Sequence, residues 1–127
     1  MKLVKILLTA AVLLTSASVF AEDVEKETYV SFTDVYVPKI VNPGENVVAL
    51  LSGFFPNSCY RWKNGEVTHE STFKHTVKGL AAVSQGMCLM VIVPFNKEVD
   101  LGRLEQGHHV IRIVNGDGTY LEKELDI

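Results

Sequence analysis

Gly53-Phe54-Phe55-Pro56-Asn57-Ser58-Cys59-Tyr60-Arg61-Trp62 is the stretch whose reading decides the fold. It contains the sole tryptophan and one of the two cysteines of a 127-residue chain. Pro56-Asn57-Ser58 has turn chemistry, because proline presets one backbone angle and Asn and Ser side chains bond nearby main chain. After the turn, Tyr60 and Trp62 share one face and Arg61 and Lys63 the other, the alternation of a half-buried strand. Before it, residues 47–54 form a continuous apolar run of strand length. Such a run is expected to be a central strand covered on both sides.

The same reading extends outward. Residues 28–37 are rich in β-branched and aromatic side chains and predict a first strand, closed by Pro38. Asn42-Pro43-Gly44-Glu45 predicts a turn. Asn64-Gly65 fits either a tight hairpin turn or a bulge in a strand running to about His69. The bulge is the reading adopted, with the turn near Glu70-Ser71 and the next strand over 72–83. There Phe73, His75 and Val77 share a face opposite Lys74 and Lys78, and the lysines mark an expected sheet edge. Residues 88–95 are a second apolar run and predict a second central strand, followed by a polar connection over 96–106. Residues 110–114 and 119–127 complete the set around the hairpin turn Asn115-Gly116-Asp117-Gly118. Seven strands, no amphipathic helix and a turn signal about every 10 residues predict an all-β fold, a β-sandwich, with a closed barrel as the alternative.

The N-terminus is read separately. Lys2 and Lys5 precede an apolar run over 6–14, a small polar neck follows, and Val19-Phe20-Ala21 places small residues for cleavage. Together these predict a signal peptide over 1–21, cut after Ala21, with one domain over 22–127. The apolar run is shorter than the about 20 residues that span a bilayer, so no membrane span is expected after cleavage. The remaining 106 residues carry ten basic and fifteen acidic side chains, a net charge of −5. That balance argues against nucleic acid as a partner. A secreted or periplasmic chain with two cysteines is most simply read as carrying one disulfide, Cys59 to Cys88. The alternative is a reactive thiol, but there is no Cys-x-x-Cys and no neighbouring histidine.

Gly53-Phe54-Phe55-Pro56-Asn57-Ser58-Cys59, a second cysteine at Cys88 and Leu104-Glu105-Gln106-Gly107-His108-His109 resemble small exported bacterial immunoglobulin-like proteins. The resemblance covers about residues 45–115 and implies a seven-stranded immunoglobulin-like β-sandwich. In such domains an aromatic residue, usually tyrosine, ties down the corner before the penultimate strand, and His109 occupies that place. The cysteines depart from the antibody pattern, lying beside the expected third and fifth strands. Fold analogy brings no activity with it.

Candidate sites are few. His69, His75, His108 and His109 have no metal-ligand spacing. His108 and His109 are expected on opposite faces, although His69 or His75 could meet one of them across strands. No catalytic set stands out, so neither enzyme activity nor a cofactor is expected. Phe54, Phe55, Tyr60 and Trp62 either fill one end of the core or form an exposed binding tip. The expected role is therefore non-enzymatic: recognition of another protein, or service as an envelope structural module. The alternatives are a small exported protease inhibitor and a metal-binding exported protein. In cells with a secretory pathway, intact mass should correspond to residues 22–127; retention of residues 1–21 would refute the cleavage.

Overall fold

The computed structural model describes residues 25–127, so the signal peptide expected over 1–21 lies outside the described residues. Eight strands build two sheets packed face to face, an all-β sandwich. The first sheet is built around β5 (Lys74–Val83). β4 (Tyr60–His69) pairs antiparallel along one whole edge of β5, with a register shift between Trp62 and Asn64. The strand is thus bulged, as expected, but at Lys63, immediately before the Asn64-Gly65 pair from which the bulge was read. The other edge of β5 is shared. β1 (Lys26–Tyr29) pairs antiparallel with Leu80 to Val83, and β7 (His108–Val114) pairs parallel with Lys74 to Lys78. β8 (Tyr120–Asp126) adds antiparallel to β7. The second sheet is β2 (Asp34–Tyr36), β3 (Asn46–Phe55) and β6 (Val93–Arg103), in that order.

Period-two alternation supplies the core. Val47, Ala49, Leu51 and Phe55 of β3 point inward with Phe95, Val99 and Leu101 of β6. They meet Val77 and Ala81 of β5, Ile111 and Ile113 of β7, and Leu125 of β8. Each fully buried aliphatic side chain of this kind contributes about 1.5–3 kcal/mol relative to exposure. β3 is thus a half-covered strand rather than one covered on both sides. Its alternate residues Leu50 and Phe54 face solvent.

Further expectations are corrected. The single first strand over 28–37 is two strands, β1 in one sheet and β2 in the other. Between them the chain crosses over, with the Val30 amide donating to the Gly79 carbonyl of the first sheet and the Thr33 amide to Ser52 of the second. The strand over 72–83 is no edge, since β5 has partners on both sides. Finally, residues 88–92 are not a central strand. β5 ends in the first sheet and β6 begins in the second, so residues 84–92 must cross between sheets. The residues expected as a polar connection supply most of β6, because Phe95, Val99 and Leu101 give it an inward face.

The first crossover is locked by the 115–118 turn. The Phe32 amide donates to Asn115 Oδ1, and the Gly116 amide donates to the Val30 carbonyl. A Cβ at Gly116 would lie 2.2 Å from the Tyr29 carbonyl oxygen, so only glycine permits this approach. Gly116→Ala should therefore lower stability by about 2 kcal/mol. Urea denaturation checks this, and an unchanged midpoint would contradict it.

Candidate functional site

Two chain segments cross between sheets at the same end of the sandwich: residues 56–59, from β3 to β4, and residues 84–92, from β5 to β6. The Cys59–Cys88 disulfide joins them, with the Cα atoms 5.2 Å apart. A short two-way link extends the clamp. The Ser58 amide donates to the Leu89 carbonyl at 3.0 Å, and the Leu89 amide donates to Ser58 Oγ at 2.7 Å. Ser84, at the head of the second crossover, donates its amide to the Cys59 carbonyl. The loop is thus held at its start, at Cys88 and Leu89, and at Val93, where it enters β6 opposite Phe55.

What the clamp presents is apolar. Met87 is fully exposed, and Leu89, Met90, Val91 and Ile92 all stand more than half exposed. Phe54, 57% exposed, pairs in register with the exposed Pro94 and extends the strip onto the outer face of the second sheet. No charged residue occurs between positions 79 and 96. A contiguous apolar surface of this kind marks an interaction site more often than scattered single exposures do.

The four aromatic residues of the expected binding tip divide. Phe55 is buried and stacks on Phe95 at 4.4 Å and on Tyr60 at 5.8 Å between centroids. Trp62 is half-buried, 5.8 Å from Phe95 and 6.3 Å from Phe32. Only Phe54 faces outward, because it has the opposite parity to Phe55 in β3. The exposed apolar residues at 87–92 escaped the sequence reading, which took the run for a buried strand. Local pattern held no signal for this, since an uncharged apolar run reads the same whether a neighbouring sheet covers it or not.

The histidines gather at the other end. His69 and His75 are cross-strand partners flanking the β4–β5 turn, with Nδ1 atoms 2.6 Å apart. His75 Nε2 lies 2.9 Å from His109 Nδ1, and His109 Nε2 lies 2.5 Å from the Glu105 carbonyl oxygen, four residues upstream. His109 therefore makes the backbone tie that a tyrosine hydroxyl makes in immunoglobulin-like corners. His75 and His109 are buried, while His69 is exposed. Burial, reinforced by His69 and His109, holds the His75 pKa below the ordinary histidine value. His108 faces the opposite way, and its hydrogen bond to Asp126 raises its pKa. Among the described residues, no group of three or more His, Cys, Asp or Glu side chains converges on a metal position. In the 115–118 turn Asn115 Oδ1 accepts from the Phe32 amide, and Asp117 Oδ1 accepts from the Thr119 amide and hydroxyl.

The disulfide closes a loop with a sequence separation of 29. Chain entropy assigns such a closure roughly 3–4 kcal/mol. Replacing both cysteines by alanine should lower stability by about that amount and loosen residues 84–92 before the sheets. Denaturant unfolding with limited proteolysis measures both effects, and an unchanged midpoint would count against the clamp.

A family model, the ORF11 beta-sandwich domain, matches residues 49–125. The span opens within β3 and closes within β8, taking in both crossovers of the disulfide end and all four histidines. No curated protein and no solved structure matches the chain. The match extends over more than half of the chain, and its architecture is the one observed, so this protein belongs to the ORF11 beta-sandwich domain family.

Proposed function

We propose that this chain is an exported, non-enzymatic recognition module that presents residues 87–92 to an apolar groove on a protein partner. One observation carries the reading. Five large apolar side chains face solvent on a crossover that is covalently and doubly hydrogen-bonded to its neighbour. Water contact with so many apolar groups is unfavourable, and the clamp prevents the loop from folding back to bury them. A partner that covers them gains the apolar burial without first ordering the loop, since the disulfide has removed that freedom beforehand. The absence of charge from 79 to 96 favours an apolar partner surface over an acidic or basic one. The disulfide also fits an oxidising compartment, which supports a secreted or periplasmic location alongside the N-terminal sequence.

The protease-inhibitor reading is favoured by a narrower observation. Among the described residues, no backbone hydrogen bond engages Met90 or Val91, and the segment lies outside the strands. Such a segment can add to the edge of an extended-substrate cleft as a strand.

A photo-crosslinking residue at Met90, with the exposed Lys123 of β8 as control position, tests the recognition surface. The expected result in the native compartment is a discrete protein adduct at Met90 that is absent at Lys123 and competed away by unlabelled oxidised protein. Ile92→Asp should weaken that competition at least tenfold. Equal adducts at both positions, or undiminished competition by Ile92→Asp, would remove the loop as the recognition surface.

A further inference from the structure

The bond directions in the histidine chain follow from a single carbonyl. The Glu105 oxygen can only accept, so His109 Nε2 carries a proton. Neutral His109 then accepts at Nδ1, and His75 donates from Nε2. His75 in turn accepts at Nδ1 from the Nδ1 proton of His69. Only His69 Nε2, at the exposed end, keeps a free lone pair among these bonds. Three neutral imidazoles thus place one proton in each of the three hydrogen bonds. A fourth proton fits on His69 Nε2, and its charge can pass along the chain by shifts within the two imidazole bridges. A fifth has no place, because each bridge holds one proton between two nitrogens. The intact chain therefore takes up one proton, whereas three separated imidazoles take up three.

The chain joins two segments at the end of the sandwich opposite the disulfide: the β4–β5 turn at 70–73 and the β6–β7 crossover at 104–107. Phe73 lies against His109 with ring centroids 5.1 Å apart, and its backbone carbonyl accepts the Val110 amide. Among the described residues no carboxylate forms an ion pair with these three imidazoles. Glu70 accepts from the Thr76 hydroxyl and pairs with Lys74. Arg112 of β7 pairs with Glu122 of β8. Asp126 and Glu124 of β8 face His108. At the end of β6, Asp100 holds Asn46 and the Gly102 amide. Glu105 contributes its backbone carbonyl.

We propose that His69, His75 and His109 form an acid-sensitive latch that fastens the 70–73 turn to the 104–107 crossover at neutral pH and releases both on acidification. Closed, the latch binds one proton; open, it binds up to three. The opening equilibrium then rises by up to about a hundredfold per pH unit once the pH falls below the ordinary histidine value near 6.5. The sign agrees with the depressed His75, whose contribution to stability is present above the unfolded histidine value and is lost as pH falls. His108, raised by Asp126, acts in the opposite sense, favouring the folded state below the unfolded value.

Nitrogen-detected NMR of the oxidised protein from pH 7.5 to 5 tests the latch. At pH 7.5 the expected His109 tautomer is protonated at Nε2. On acidification the bonded amides of Glu70, Ser71, Gly107 and Val110 should lose exchange protection, while those of Ser58, Ser84 and Leu89 at the disulfide end keep theirs. His75→Gln offers one acceptor and one donor in place of the titrating ring, and should flatten the pH dependence of opening by at least tenfold per pH unit. His108→Gln should leave the steep dependence in place. Should His75→Gln fail to fold, the wild-type tautomers and amides decide. Independent protonation of all three imidazoles with the Glu70 and Ser71 amides unchanged to pH 5 would overturn the proposal. Simultaneous loss of protection at both ends would do the same.

Discussion

The structure depends on β5 having hydrogen-bonding partners along both edges. One edge is filled by β4, and the other is divided between β1, running antiparallel, and β7, running parallel. A strand so placed brings four chain segments into one sheet, and its side chains must suit the crowding. Gly79, Ala81 and Ala82 keep its second half small. A Cβ at Gly79 would meet Phe32 and Trp62 within 2.8 Å, so the two rings occupy the space that the glycine leaves. The aromatic packing around Trp62 and Phe95 is thus possible because β5 is thin at that point.

β5 also connects the two ends of the sandwich. At its C-terminal end the chain leaves for the other sheet and is clamped to the 56–59 crossover by the disulfide. At its N-terminal end His75 holds the β4–β5 turn to β7 through two imidazole contacts. The two fastenings differ in chemistry. A disulfide is indifferent to mild acid and responds to reductant, whereas a histidine chain responds to pH and not to redox conditions. One end of the domain can loosen while the other keeps its apolar loop displayed. The surface ion pairs, Arg61 with Glu25 and Lys63 with Glu27, add little to either fastening, since exposed pairs contribute about 0–1 kcal/mol.

In the proposed recognition role, the arrangement would separate presentation from stability. The side chains of residues 87–92 contribute little to the core, because they lie outside it. Their backbone is nonetheless restrained by Cys88, Leu89 and Val93. Substitutions along the loop can therefore alter what it contacts without altering the sandwich beneath. That is the usual division of labour between a rigid scaffold and its loops.

The sequence by itself determined the all-β class, a bulged β4 in place of a hairpin at Asn64-Gly65, the turn before His75 and the opposite facing of His108 and His109. All of these are local: alternation, glycine and proline placement, and the two-residue period of a strand act within a few residues. Tertiary structure alone decided which apolar residues are covered. The 47–54 and 88–95 runs read alike, yet the first became a half-buried strand and the second mostly an exposed crossover, because sheet membership changes between β5 and β6. The histidine chain was likewise hidden beyond its first pair. His69 and His75 face each other across a turn that the sequence announces, but His109 reaches them only through the parallel pairing of β5 with β7. No local pattern encodes that pairing, which follows from burying both sheets against one core.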